Sequence, residues 1–235
     1  MSVRNEPATS SDERLATMDS DSRRLSRMAV GDAVEVGAVL GRAFVEDPLM
    51  RYYFEGSRDR SELVRKTMTL ATRLTLRCGT GFRFDCSGRL TGAALLLPPS
   101  VRDFPLTAVV GAILRTPSLW RPRSLRRHFG ASASIDAHRP KFPCWLLLSL
   151  GIEPERQHRG HGAWLLERVL QSLPESNGVS LETDNERNLP LYLRHGFEIT
   201  SEFAVDDGQG PLTWSMLRAA PVDVARRREP NDSNA

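Results

Sequence analysis

Apolar side chains follow two different periods along this chain. They recur at the spacing of a helix in three long segments, at 31–48, 57–77 and, broken by Pro117 and Pro122, 101–139. Shorter apolar runs predict strands at 25–29, 82–85, 90–97 and 179–182, and a further strand that opens at Leu146. Strands alternating with helices in this order, without an internal repeat, predict a single α/β domain.

A short piece at 49–54, between the first two helical segments, reads either as a helical turn or as a loop. It carries Tyr52, Tyr53 and Phe54. Aromatic side chains of this kind either line a cleft or belong to the core, and the sequence leaves both interpretations open. Asp47-Pro48 ends the preceding helix, because the residue before a proline disfavours the helical conformation.

The most informative segment is LLLSLGIEPERQHRGHGA, from Leu146 to Ala163. A buried strand leads into a polar loop with two glycines, and the apolar spacing from Ala163 onward predicts a helix. The first turn of a helix has free N–H groups and the positive end of the dipole, so the loop predicts a phosphate or pyrophosphate site. The spacing excludes two known phosphate loops. No Lys-Ser or Lys-Thr follows Gly162, and Leu165 stands where a dinucleotide fingerprint needs glycine.

Two motifs resemble the acetyl-CoA site of the GCN5-related N-acetyltransferases, the GNAT family. The first is Q-x-x-G-x-G, formed here by Gln157, Gly160 and Gly162. The second follows in the family's order and consists of Asn188, Tyr192 and Gly196-Phe197. The likeness is dense over residues 138–217 and thin before them. It implies a single GNAT-type domain with a mixed, mostly antiparallel central sheet flanked by helices, and with a splayed strand pair that holds acetyl-CoA.

The same resemblance implies where the acetyl donor binds. The backbone of Leu150, Gly151 and Ile152 would pair with the pantetheine arm, and an N–H there would polarise the thioester. Asn188 would contact the same arm. Loop amides and side chains would hold the pyrophosphate, and the predicted set is Gln157, His158, Arg159, Gly160, His161, Gly162 and Ala163. His158 and His161 either add a cation there or are exposed loop histidines without a role.

Acyl transfer needs a neutral amine, an N–H donor for the developing oxyanion and a proton for the leaving sulfur. By resemblance Tyr192 donates that proton, which suits a phenol that is protonated at neutral pH. The base is predicted to be Glu182 at the end of a strand, with Asp47 as the second choice. Asp47, Tyr53 and Trp145 are predicted to bind the acceptor, although Trp145 also fits a core position.

Composition changes this picture little. The chain has 235 residues and a net charge of +3, is 40% hydrophobic and 26% charged, and gives no reason to expect nucleic acid or a membrane as a partner. Its three cysteines match no metal or redox spacing, so we predict reduced thiols, a cytoplasmic location and no metal site. The polar, charged segments 1–24 and 221–235 predict disordered tails around a domain at 25–220.

A group of arginines near the middle of the chain allows two interpretations. It would either attract an acidic partner or the 3′-phosphate of the donor, or form a solvated helical face; its members are Arg115, Arg121, Arg123, Arg126 and Arg127.

We expect an acetyl-CoA-dependent N-acetyltransferase that modifies the primary amine of a small molecule, and we leave a homodimer open. One alternative is an enzyme that acetylates a protein or peptide amine. The other is a non-catalytic acyl-CoA-binding regulatory module. A deep aromatic pocket would favour the small molecule, and an open groove the peptide.

Overall fold

The computed structural model describes residues 22–101, 104, 106–116, 119, 121–174 and 177–220. The tails predicted at 1–24 and 221–235 lie outside the described residues, except for 22–24, and stay predictions. Arg23 and Arg24 already belong to the first strand, which therefore starts before the expected domain boundary at residue 25.

The described residues form seven strands and seven α-helices. The strands are β1 (Arg23–Arg27), β2 (Thr80–Cys86), β3 (Arg89–Leu97), β4 (Trp145–Ile152), β5 (Val179–Thr183), β6 (Glu198–Ala204) and β7 (Leu212–Arg218). The helices are α1 (Ala33–Phe44), α2 (Pro48–Tyr53), α3 (Arg60–Cys78), α4 (Leu106–Arg115), α5 (Pro122–His138), α6 (His161–Gln171) and α7 (Leu189–Arg194).

The strands make one sheet in the order β1-β2-β3-β4-β5-β7-β6. Neighbouring strands are antiparallel except for the central pair β4–β5, which is parallel. A parallel pair needs a crossover connection, and α6 provides it. The mixed, mostly antiparallel sheet flanked by helices is therefore confirmed.

A hydrophobic core lies on each face of the sheet. Strand β3 contributes side chains to both cores, because successive side chains of a strand point to opposite faces. Its residues Ala94 and Leu96 pack with α6, whereas Ala93 and Leu95 pack with α1 and α3. This double burial explains why β3 reads as a continuous apolar run rather than an alternating one.

Local sequence signals account for several element ends. Ser87 and Gly88 join β2 to β3 with φ angles of 53° and 72°, and positive φ at both positions is what a type I′ hairpin turn requires. Asp47 caps α2 by accepting a hydrogen bond from the Met50 N–H at 3.3 Å. Gly196, with φ 82°, follows the end of α7.

A long excursion separates β3 from β4. The two strands are antiparallel neighbours with Leu97 opposite Leu146, so a short hairpin could have joined them. The chain instead runs through residues 98–144, which include α4 and α5. We call residues 98–144 the roof segment, because α5 lies over the core that contains α1 and α3. Of the two predicted breaks in this region, Pro122 starts α5 and Pro117 lies outside the described residues.

Two sequence-based expectations need correction, and one open alternative is decided. β1 spans Arg23–Arg27 rather than 25–29, because its ends follow the pairing with β2 and not the apolar run. α6 begins at His161 rather than Ala163, since Gly160 takes a left-handed φ of 76° and turns the chain into the helix earlier. The piece at 49–54 is a separate helix, α2, so three helices and not two lie between β1 and β2.

Over the described residues, none of the helices has the length and apolar character that crossing a lipid bilayer requires.

Candidate active site

The central parallel strands part soon after they meet. β4 pairs with β5 only through Trp145 opposite Val179 and Leu146 opposite Ser180. β4 then continues to Ile152 with its other edge paired to β3. Its edge toward β5 therefore presents backbone N–H and C=O groups to the gap, and Leu150, Gly151 and Ile152 lie on this stretch. The splayed strand pair predicted from the resemblance is present.

The loop after β4 ends in the N-terminus of α6. His158 and Gly160 both have left-handed backbone conformations, with φ angles of 61° and 76°. Gly160 is the N-cap of α6, and its carbonyl accepts a hydrogen bond from the Trp164 N–H at 3.0 Å. The amides of Gly162 and Ala163 fall in the first turn, where the positive end of the helix dipole favours an anion. Arg159 is exposed beside them.

Two side chains of this loop take structural positions. Gln157 donates a hydrogen bond from Nε2 to the Ile152 carbonyl at 3.0 Å, which fastens the loop to the end of β4. His161 is 3% exposed, and its ring lies 5.4 Å from the Phe84 ring between centroids. The histidine is thus neither an exposed loop residue nor a cation on the open side of the loop, because α6 starts early enough to turn it into the core.

Tyr192, which belongs to the second sequence motif, lies on α7, and its side chain is buried. It is 7% exposed, its ring packs edge-on against Phe197 at 5.8 Å, and its hydroxyl makes no hydrogen bond with any described residue. Burial raises the pKa of Tyr192, and the negative charges of Asp47 and Asp184 add to this effect. The phenol therefore stays protonated across the physiological range. Asn188 ends the short 3₁₀ turn immediately before α7.

A cavity of about 430 Å³ lies between α1–α3, the roof segment and the exposed stretch of β4. This volume is in the usual range for a small-molecule site. Its apolar wall consists of Phe44, Leu49, Met50, Tyr53, Met68, Ala71, Leu97, Phe104, Ile135, Leu146 and Leu148. Its polar wall consists of Asp47, Thr67, His128, Ser132, Asp136, Arg139, Ser149, Glu182 and Asp184. The cavity thus combines an apolar body with acidic groups.

Glu182 lies in the cavity as expected, but it is bound to a guanidinium. Arg139 donates from Nε and Nη2 to the two carboxylate oxygens at 3.2 and 3.3 Å, and its Nη1 donates to Asp136 at 3.0 Å. The side chains of Glu182 and Arg139 are 11% and 17% exposed. Burial raises the pKa of Glu182, while Arg139 acts in the opposite direction.

Asp47 and Asp184 form a second acidic group in the cavity. Asp47 precedes α2 and Asp184 follows β5, and Asp184 accepts a hydrogen bond from the Leu49 N–H. The two carboxyl groups hydrogen-bond to each other, and burial together with the neighbouring negative charge raises the pKa of Asp47. Burial also raises the pKa of Asp184. Two close buried carboxyl groups retain a shared proton in this way because both cannot easily ionise together.

The predicted acceptor residues do not all meet. Tyr53 lines the cavity and stacks on His128, with ring centroids 3.7 Å apart and planes 19° apart. Burial lowers the pKa of His128, so the imidazole is neutral near pH 7. Trp145 does not line the cavity but packs against the core on the α6 side. Strand alternation explains the correction, because Leu146 and Leu148 point to the cavity and their neighbour Trp145 points the other way.

The predicted arginine group is for the most part a solvated face: Arg121, Arg123 and Arg126 are exposed, and of the described members only Arg127 departs from that interpretation. Arg127 is buried, bonds to the Tyr52 carbonyl and to Glu55, and lies over the Tyr52 ring at 4.4 Å. Further ion pairs join Arg123 to Glu55 at 3.1 Å and Arg126 to Asp206 at 3.4 Å. These contacts fasten α5 to α2 and to the β6–β7 connection, and thereby hold the roof segment over the cavity. The side chain of Arg115 lies outside the described residues.

Sequence reasoning missed most of the residues that line the cavity, and among the polar ones His128, Arg139 and Asp184 matter most for the site. Arg139 and Asp184 stand within the segment that resembles the family, and Asp184 directly follows a predicted strand end, where functional carboxylates often lie. The position of Asp184 after that strand was the sequence signal that could have identified it. His128 had none, because only the folded roof segment brings it against Tyr53.

Comparison with known proteins agrees with this geometry. Residues 126–197 match the acetyltransferase (GNAT) family. Among solved structures, a histone acetyltransferase HPA2 and related acetyltransferase from Corynebacterium glutamicum is 21% identical, with 84% of this chain and 96% of that chain covered and a TM-score of 0.62. An N-acetyltransferase from Staphylococcus aureus is 11% identical, with 83% and 99% covered and a TM-score of 0.54. A polyamine N-acetyltransferase from Drosophila melanogaster is 15% identical, with 84% and 99% covered and a TM-score of 0.53. At these identities the structures show a shared fold.

Proposed function

We propose that this chain is an N-acetyltransferase that moves the acetyl group of acetyl-CoA to the primary amine of a small molecule by direct attack in a ternary complex. Its match to the GNAT family over residues 126–197 and its fold support this proposal. The observation that carries this proposal is the acidic, largely apolar cavity of about 430 Å³ beside the gap between β4 and β5. An acceptor in the cavity and a thioester in the gap would meet at the exposed edge of β4.

The residues around the gap fit the donor. The backbone of Leu150, Gly151 and Ile152 has no strand partner on the side of the gap and, apart from the Ile152 carbonyl that Gln157 binds, suits the amide groups of a pantetheine arm, which pair like a strand. The amides of Gly160, Gly162 and Ala163 suit the pyrophosphate at the N-terminus of α6, with Arg159 and His158 as nearby basic side chains. Asn188 stands before α7, where it would contact the arm.

Tyr192 is the proposed general acid. Its phenol is kept protonated by burial, and its hydroxyl is unpaired among the described residues, so it is available to donate to the sulfur that leaves. A purely binding module has no need of a protonated phenol whose hydroxyl is left without a partner among the described residues. Tyr192 therefore supports the enzyme over the regulatory module.

The roof segment supports a small acceptor over a peptide. α5 covers the cavity and is fastened at Arg127 and Arg139, whereas a peptide substrate needs an open groove. The carboxylates on the cavity wall outnumber the one arginine there, which favours a cationic amine. Residues 138–217 also resemble puromycin N-acetyltransferase, so an aminonucleoside belongs among the acceptors to be tested. We keep the cytoplasm as the proposed location.

The test is acceptor-dependent release of free CoA thiol. Purified protein is incubated with acetyl-CoA and a panel that contains puromycin, arylalkylamines, polyamines, aminoglycosides and short peptides. We expect release with at least one small amine, and a fall in kcat of about 100-fold or more in Tyr192→Phe. Leu193→Ala, on the exposed side of α7, is the matched control. Release with peptides alone would refute the small-molecule acceptor, and acetyl-CoA binding without release on any acceptor would favour the binding module.

A further inference from the structure

Two carboxyl groups in the cavity face one another without a basic partner. Within the described part of the chain neither Asp47 nor Asp184 forms an ion pair, whereas Glu182 is held by Arg139. The Met50 and Leu49 N–H groups donate to Asp47 and Asp184 respectively, and these donors at the start of α2 fix both carboxyl groups. The pair is therefore rigidly placed and keeps a net negative charge inside the protein.

The Tyr192 hydroxyl is a second sign that a reacting group belongs in this corner. The residue is 93% buried and its hydroxyl makes no hydrogen bond among the described residues, yet this oxygen is not one of the fully enclosed polar atoms there, so it stays open to a ligand. The hydroxyl also interacts electrostatically with both Asp47 and Asp184. A proton acceptor and a proton donor thus lie within electrostatic range of each other, as attack by an amine and departure of a thiolate require.

We propose that Asp47 and Asp184 act together as the general base of the reaction, and that Glu182 is a positioning residue that holds Arg139. This inference rests on the proposed function. Glu182 is the weaker candidate because both of its oxygens accept hydrogen bonds from a cation, so taking a proton there would break a buried ion pair. The Asp47–Asp184 pair has no cationic partner among the described residues, so taking a proton there breaks no ion pair and removes an uncompensated negative charge from the cavity.

The protons balance over one turnover. The ammonium form of the acceptor gives one proton to the pair, and the neutral nitrogen forms a bond to the thioester carbonyl carbon. The nitrogen loses a second proton as the amide forms, and the C–S bond breaks with its electron pair on sulfur. Tyr192 gives its proton to that sulfur and is reprotonated from the pair. The second proton leaves to solvent, so an ammonium and a thioester yield an amide, a thiol and one proton.

Several titratable groups face the pair or share its cavity. Tyr53 on α2 and Tyr192 on α7 both interact electrostatically with the pair, and burial raises the pKa of both, so they remain protonated near neutral pH. His128 on α5 is neutral there because burial lowers its pKa. Arg139 and Asp136 complete the set with Glu182. A loss of rate as the pH falls below neutrality is therefore expected from the carboxyl pair.

The experiment compares Asp47→Asn, Asp184→Asn, Glu182→Gln and the control Glu46→Gln, using an acceptor identified with the wild-type enzyme. Asparagine keeps the oxygens that accept from Met50 and Leu49, and Glu46 is the exposed neighbour of Asp47. We expect kcat to fall about 100-fold or more in each Asp variant, with unchanged acetyl-CoA affinity and loss of the acidic limb of the pH–rate profile. Glu182→Gln should keep that limb, and Glu46→Gln should match the wild type.

An acceptor that is already neutral separates loss of the base from loss of structure. With a β-trifluorinated analogue of the same amine, which is largely unprotonated at pH 7, the Asp variants should lose at least ten-fold less rate than with the parent amine. Equal losses on both amines, an acidic limb kept in the Asp variants, or its disappearance in Glu182→Gln would each overturn the inference. A wild-type enzyme that acetylates no amine would instead defeat the proposed function.

Discussion

Removing Arg139 should destabilise the protein by an amount that depends strongly on pH. In Arg139→Gln the buried Glu182 loses both guanidinium hydrogen bonds, at 3.2 and 3.3 Å, and keeps its desolvation. Breaking one side of a buried pair typically costs about 3–5 kcal/mol. Protonation limits this cost, because a carboxyl group with an ordinary pKa near 4.3 needs at most about 1.36 kcal/mol per pH unit above that value to become neutral.

The greatest destabilisation that this protonation allows therefore depends on pH. It is about 3.7 kcal/mol at pH 7 and about 1 kcal/mol at pH 5. The sign follows from the direction of the shift. Loss of Arg139 raises the pKa of Glu182 further in the folded state, so the stability linked to its protonated form is present at low pH and lost as the pH rises. We expect a loss of about 3 kcal/mol at pH 7 and about 1 kcal/mol at pH 5.

Urea unfolding of the wild type, both single variants and the double variant Arg139→Gln/Glu182→Gln at pH 5, 6 and 7 measures this. The double variant should lose less than the sum of the singles at pH 7 by at least about 1.5 kcal/mol. Arg65→Gln is the control, since it breaks an exposed pair with Glu62 at 2.6 Å and should cost well under about 1 kcal/mol at every pH. An equal loss at pH 5 and pH 7 for Arg139→Gln, or additive single effects, would refute the reasoning.

Three further changes test other parts of the structure. Asp47→Asn should raise the urea midpoint at pH 8 and have little effect near pH 4. The raised pKa of Asp47 means that its protonated form stabilises the fold and is lost as the pH increases. A lower midpoint at pH 8 would contradict this reasoning. Gly160→Ala should cost about 1 kcal/mol in thermal unfolding and weaken acetyl-CoA binding in calorimetry, since its φ of 76° strains alanine although its Cβ would meet open space. Gly151→Ala should cost about 1–3 kcal/mol, because its Cβ would lie 2.8 Å from Leu40 and 3.0 Å from Phe44 on α1; an unchanged midpoint would mean that α1 can move aside freely.

The sequence predicted the elements around the proposed donor site better than those around the proposed acceptor cavity. The β4 strand, its glycine loop, α6 and α7 follow one another along the chain, so local spacing identifies them and the family resemblance confirms their order. Gly160 and Tyr192 could be singled out for this reason. The exact start of α6 could not, because it depends on the left-handed turn at Gly160 rather than on apolar spacing.

The acceptor side depends on contacts between distant segments. Arg139 and Glu182 are 43 residues apart, and no local pattern shows that they pair. The direction of a side chain on a strand is equally hidden. Trp145 and Leu146 are adjacent apolar residues, and only the register with β3 and β5 decides that the leucine lines the cavity and the tryptophan does not. Burial of Arg127 reverses the usual expectation for a basic helix in the same way.

The roof segment affects which sequence changes such a protein can tolerate during evolution. It leaves the sheet at Leu97 and returns at Leu146, which are partners across two neighbouring strands. The entropy of closing a loop between fixed ends grows only slowly with its length, so residues can be gained, lost or exchanged here at small thermodynamic cost. Because the loop proposed to hold the pyrophosphate and α7 lie elsewhere in the chain, a transplanted roof segment would change the wall of the cavity proposed for the acceptor and leave the proposed donor site as it was inherited.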